Sequence, residues 1–267
     1  MLKPTILFTA LLLVTAAGWS QSNILFQSNF ESATAIKSLP GIDSCCSYSV
    51  QRSDSFARTG TYSMRMEVRK ILPMPAIGYR AEMACQGEPV PNVERWYGFS
   101  IYLPMDYASD PADEILAQWH DTPDYDKGET VRSPPISLLT NRKQWHLNII
   151  WATNPVNTNA TRSGDASINL GACTPGQWTD WVFHLKFSYQ SDGLIQIWKN
   201  GAMIATRNGP NYYNDEKGPF FKTGIYKWVW TPDWAGELSV LTKRVIYIDN
   251  VKMGNQLAKF SDVDPSK

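Results

Sequence analysis

The sequence has little of what metal or phosphate chemistry requires. Its 267 residues hold three histidines and four cysteines. No CxxC pair occurs and the histidines are scattered, so a zinc site has no ligand spacing to rest on. No glycine-rich phosphate loop follows a strand, no HExxH helix is present, and no Ser–His–Asp order stands out. Charge of one sign is missing too, since 25 basic residues face 25 acidic ones. That balance excludes a broad nucleic-acid or polyanion surface, which needs a clear basic excess, while leaving room for a local basic groove. Helical periodicity is nearly absent. The single long apolar run, Thr5 to Ala17, is short for a membrane span of ~20 residues.

That run follows Lys3 and ends in the small residues Gly18 and Ser20. It reads as a secretory signal peptide over 1–20, so the protein is expected to be secreted and to have no membrane partner. Residues 21–267 are then expected to form one domain, a monomer, with net charge near −1 because the leader removes Lys3 and no acid. Four thiols in an oxidising compartment are expected to pair. A bridge between the adjacent Cys45 and Cys46 closes a strained ring, so two bridges reaching Cys85 and Cys173 are expected instead.

What the chain does contain is short alternating runs broken by Gly, Pro, Asn and Asp, the pattern of an all-β sandwich. "RWYGFSIYLP" alternates and stops at Pro104, and "QWHLNIIWAT" leads into a polar loop from Asn154 to Gly164 holding the sequon Asn159-Ala-Thr161. Trp181, Phe183, Leu185 and Phe187 alternate with Val182, His184, Lys186 and Ser188, followed by turns at Asp192-Gly193 and Asn200-Gly201. One helical turn or two is expected around "DPADEILAQ", with Asp110 as cap and Pro111 at the first position.

Three strands share an odd pattern of polar groups on one face. "YRAEM" presents Arg80 with Glu82, "AQWHD" presents Gln118 with His120, and "FFKTGIYKW" presents Lys222 with Tyr226, separated on that face by Gly224. Each pair alone is what an exposed face would carry. Together, Arg, Gln, His, Lys and Tyr suit abstraction of a proton beside a carboxylate. Such a proton becomes acidic only when donors neutralise the carboxylate. A base must then take it, and an acid must protonate the departing oxygen. The carboxylates Glu82, Asp121 and Glu114 keep a glycoside hydrolase open as an alternative.

These segments, with "PPISL", "GQWTDWVFHLKFSYQSDGLIQIWKNG" and "GPFFKTGIYKW" in the same order, resemble the polysaccharide lyase family that includes heparin lyase I and glucuronan lyase. The three polar strands also look like the signature strands of jelly-roll alginate lyases. The resemblance implies an all-β jelly roll, a concanavalin A-like sandwich of two antiparallel sheets with an open concave groove. An acidic polysaccharide would be cut there by β-elimination, leaving an unsaturated sugar. Carried over by position, it makes Arg80, Gln118, His120 and Tyr226 catalytic, with Tyr226 or His120 as the base. The same carry-over puts Lys222 against substrate, with Gly224 leaving room for a sugar ring. Trp228, Glu82, His146 and Asn148 are expected to bind substrate from the strand faces they share. The compact size and the lack of a basic insertion look more like glucuronan lyase, which points to a plain or lightly sulfated polyuronate.

His146 with Asn148, and His184 with Lys186, are further polar pairs that could line the groove. Trp228 and Trp230 share the face of Tyr226 and could stack on sugars. No cofactor is expected for the chemistry. "SNFES" and "IYIDNVKMG" resemble the paired terminal strands that hold a structural calcium in many jelly rolls, and Glu31 and Asp249 would be its ligands. The competing class is a non-catalytic carbohydrate-binding jelly roll, since fold does not fix function.

Overall fold

The computed structural model describes residues 22–267, so the expected leader lies outside the described residues. Among the described residues the alternating runs become fifteen strands. The first five are β1 (Ile24–Ser28), β2 (Gly41–Ser44), β3 (Val50–Ser53), β4 (Ser63–Arg69) and β5 (Arg80–Ala84). Next come β6 (Glu94–Tyr102), β7 (Glu114–His120), β8 (Ile136–Asn141), β9 (Gln144–Trp151) and β10 (Gly164–Ala172). The last are β11 (Trp178–Lys186), β12 (Leu194–Lys199), β13 (Ala202–Asn208), β14 (Phe220–Tyr226) and β15 (Lys243–Gly254). One sheet runs β13-β12-β11-β6-β15-β4-β3, with β1 also on β15, and the other runs β10-β9-β8-β7-β14-β5-β2. Strand pairing within both sheets is antiparallel. This is a jelly roll.

The core lies between the sheets, where inward-facing residues of both meet. Phe183 and Leu185 of β11 are wholly buried, and the Trp119 ring of the facing sheet lies 4.6 Å from Phe183. Trp145 meets Trp181 edge to face at 5.2 Å. Burying such rings, at about 25 cal/mol per Å² of apolar surface, is the main gain holding the sheets together. The Asn200-Gly201 turn forms as its residues require, with both φ angles positive (52° and 82°) between β12 and β13.

The expected helix is not formed. Glu114–His120 is a strand, and the only α-helix among the described residues is the single turn Phe260–Val263. Asp110 does not cap a helix; it takes the Lys227 ammonium at 2.5 Å and the Ser239 hydroxyl at 2.6 Å. A partner more than a hundred residues away outweighs a local cap.

The cysteine pairing also differs. Cys45 and Cys46 lie sulfur against sulfur, while Cys85 and Cys173 are buried and free. Register explains it. Gly41 pairs with Ala84 and Ser44 with Ala81, so Cys45 and Cys85 leave opposite ends of the β2–β5 ladder. Cys173 follows β10, at the far edge of that sheet from β2.

Candidate active site

A cleft of about 420 Å³ lies on the outer face of the seven-stranded sheet. Arg80 of β5, Tyr226 of β14, Gln118 and His120 of β7, Ser137 of β8 and Asn148 of β9 all line it. Five strands, three of them consecutive and the others lying well before and after, thus deliver one set. Two irregularities help. An extra residue at Leu116 shifts the β7–β8 register between Ile115 and Ala117, so that Ile115 and Gln118 both reach the cleft. A second shift lies between Thr223 and Tyr226 of β14. Bulges beside a site re-aim side chains in this way.

The charge of the cleft is one-sided. Its lining includes Arg80, Arg132 and His120 and no aspartate or glutamate. The Arg80 guanidinium lies 4.0 Å over the Tyr226 ring, and its Nε has no protein partner. His120 Nδ1 is 2.9 Å from the Asp121 carbonyl, aligned with it rather than with the equally near Asp121 Oδ1. A carbonyl only accepts, so Nδ1 carries the proton and Nε2 of the neutral ring is left as an acceptor. Phe220 stacks on the ring at 5.3 Å and restrains its tilt.

The three carboxylates that kept a glycoside hydrolase open are all engaged elsewhere. Glu82 is bonded to Lys222 and Gln118. Asp121 lies 3.0 Å from Arg132. Glu114 is buried between Arg244 at 2.7 Å and Lys227 at 3.3 Å, and these cations hold its carboxyl below the ordinary range although burial acts to raise it. None faces the cleft.

Lys222, expected to meet substrate beside Tyr226, instead lies beneath the cleft floor, 3% exposed. Its Nζ is 2.6 Å from both Glu82 and Asp43. Gly224 also has another reason than a sugar ring. Its φ is +152°, and a Cβ there would sit 2.1 Å from the Ala81 carbonyl oxygen. The glycine allows β5 to close on β14.

His146 shares the outer face with Asn148 but stands off the cleft, 3.2 Å from Asp113. That contact and Asn141 hold Asp113 below its ordinary range against burial, which acts to raise it. His184 and Lys186 belong to the other sheet, where His184 stacks on Trp96 at 4.0 Å. Trp230 is core, packed edge-on against Tyr79. At the cleft stand Trp228 and, missed in the sequence, Trp234, with ring centres 6.2 Å apart.

A second omission is the wall carrying Val131, Arg132, Ser133 and Pro134. Arg132 is buried and contacts Asp121, Glu129 at 2.5 Å and Asp215 at 2.6 Å. Asp124, Glu129 and Asp215 come close enough to share a cation, and the Arg132 guanidinium supplies positive charge beside them. Burial, with Asp121 and Glu129 adding to it, lifts Asp215 to about 7 against the pull of Arg132.

Glu31 and Asp249 converge on one loop. Glu31 Oε1 accepts the Thr61 and Tyr62 amides at 2.9 and 2.8 Å, and Asp249 Oδ2 accepts the Arg58 amide at 2.8 Å. Peptide N–H groups are what these acids meet, an arrangement that fits a loop clamp.

No curated protein sequence matches the chain. Among solved structures, endo-β-1,4-glucuronan lyase from the fungus Trichoderma reesei superposes with a TM-score of 0.76 at 19% identity, covering 91% of this chain and 98% of that one. The binding domain of botulinum neurotoxin serotype D/C gives 0.50 at 9% identity, over 80% and 44% of the two chains. Alginate lyase PA1167 from Pseudomonas aeruginosa gives 0.46 at 16%, over 77% and 88%. The first likeness supports the jelly roll. The sequence profile described as polysaccharide lyase matches residues 14–252, nearly the whole of the two sheets, and the chain belongs to that polysaccharide lyase family.

Proposed function

We propose that this lyase cuts a glucuronate-containing polysaccharide, glucuronan-like or ulvan-like, by β-elimination at the Tyr226–His120 cleft. The observation that carries the reading is the lining itself, which holds arginine, histidine, amide and phenol groups and no carboxylate. An anionic sugar is attracted there, and the acid pair of a hydrolase is missing from it. The likeness to a structure described as a glucuronan lyase supports the choice of uronic acid.

The reaction removes the proton at C5 and breaks the bond from C4 to the glycosidic oxygen. The C5–H electron pair becomes the C4=C5 double bond, the C4–O pair leaves with the oxygen, and a proton returns to that oxygen. Arg80 and Gln118 hold the sugar carboxylate, so charge that spreads into it during proton loss is stabilised. In glucuronate the C5 proton and the C4 oxygen lie on the same side of the reacting bond. One group on that side can then serve both transfers, and we assign Tyr226. His120, with Nε2 open, is placed to help bind the carboxylate when protonated. For an epimer whose two groups lie on opposite sides, it would be the base.

The test is a panel of glucuronan, ulvan, alginate and a heparin-like chain, read as ultraviolet absorbance of the unsaturated product. Glucuronan is expected to give the strongest signal, and Tyr226→Phe to lose it while keeping the wild-type circular dichroism spectrum. No absorbance with any uronate polymer, or normal turnover by Tyr226→Phe, overturns the reading. A simple binding module would hold the polymers and release no product.

A further inference from the structure

We infer that Lys222 and Glu82 are positioning residues that fix which way the Gln118 amide faces. The inference rests on the lyase reading above for its consequence, though not for its geometry. Gln118 and Glu82 come from β7 and β5, with β14 between them. Glu82 is paired in register with Gly224 of β14, and Lys222 with Gln118. With no side chain at Gly224, the Glu82 carboxylate reaches across the middle strand. There it meets Lys222 Nζ through Oε2 at 2.6 Å and accepts a hydrogen bond from Gln118 Nε2 through Oε1. All three side chains are buried. Asp43, on the outer side, is the other acid on Lys222, also at 2.6 Å.

An amide has a donor end and an acceptor end, while an ionised carboxylate only accepts. Glu82 can therefore be met only by the Nε2 end of Gln118. The flipped amide would set Oε1 against the carboxylate, oxygen on oxygen. Locked in this way, Gln118 keeps one N–H on Glu82 and has a second N–H left for a sugar carboxylate. A freely flipping amide would spend part of its time presenting oxygen to that anion. Lys222 offsets the Glu82 charge, which would otherwise sit buried and unpaired at large cost. The face shared by Lys222 and Tyr226 thus has two depths, with Tyr226 toward substrate and Lys222 setting the partner of Gln118.

The test is a double-mutant cycle on the full chain, with steady-state kinetics on the polymer that the wild type cleaves. A lost donor to developing charge costs about a hundredfold or more in kcat. Glu82→Gln, which lets the amide turn, is expected to lower kcat about a hundredfold with KM within about threefold. In a Gln118→Ala background the same substitution is expected to cost less than about threefold, because Glu82 acts through Gln118. Equal losses in both backgrounds, or an unchanged kcat for Glu82→Gln, overturn the inference. Should Glu82→Gln fail to fold, Lys222→Arg is expected to keep kcat and Lys222→Met to lose it; equal kcat in those two also overturns it. The Gln118 side-chain amide protons, followed by NMR, are expected to exchange slowly in the wild type and rapidly in Lys222→Met. Equal exchange in the two overturns the geometry without any polymer present. Failure of the lyase reading would show separately, as a wild type that forms no unsaturated product.

Discussion

Asp215, buried behind the cleft wall, is an acid whose ionisation bears on stability. Its carboxyl stands at about 7, above the value of about 3.9 for a free aspartate. The stability gained by keeping it neutral is therefore complete below the free value and is lost as the pH rises through about 7. Asp215→Asn cannot ionise, so the melting temperature of wild type minus variant is expected to fall between about pH 5 and about pH 8. A flat difference across that range would mean that burial does not raise the Asp215 carboxyl. The two lone thiols make a second case. Burial pushes Cys85 and Cys173 up to about 12, and thiolate is the reactive form. Neither is expected to react with a thiol reagent in the folded protein at neutral pH, and both should react in denaturant. Rapid labelling of the native protein would contradict their placement.

At the scale of strands, β14 is the piece on which the site depends, since Gly224 sets how closely β5 approaches it. Gly224→Ala places a methyl against the Ala81 carbonyl at a positive φ, which should destabilise by more than ~1 kcal/mol. For a chain of this size that lowers the melting temperature by at least about 2–4 °C. Turnover should fall further than stability suggests, because Arg80 and Tyr226 face each other across this ladder. The same strand shows what could be read in advance. Alternation correctly placed Arg80, Gln118, His120 and Tyr226 on one face, because a strand's period is a local property. It could not give depth. Lys222 shares that face, yet its fate is decided by Glu82, 140 residues away. Arg132 was invisible for a related reason. Its loop has no period, and its partner Asp215 lies 83 residues on. Asp110 misled as a helix cap because its ammonium partner, Lys227, comes from a distant turn.

For the molecule as a whole, balanced total charge combines with a cleft whose lining holds no acid. Substrate capture should then be a local, screened attraction. Raising salt from about 0.05 M to about 0.5 M shortens the screening length several-fold, so KM for a polyuronate is expected to rise. The kcat should hold, since the ion pairs beneath the floor are buried. A KM independent of salt would place the binding energy in the tryptophans instead. The strand order carries a different consequence, for how the chain reaches this state. β15, the last of the strands among the described residues, lies between β6 and β4 and also receives β1. Until residues 243–254 exist, the eight-stranded sheet has a gap at its middle and the first strand has nowhere to dock. By then every strand of the seven-stranded sheet exists, but the eight-stranded sheet that covers its inner face is still split between β6 and β4. Contacts between such distant segments form slowly, so insertion of β15 between β6 and β4 is expected to be a late step in closing the sandwich.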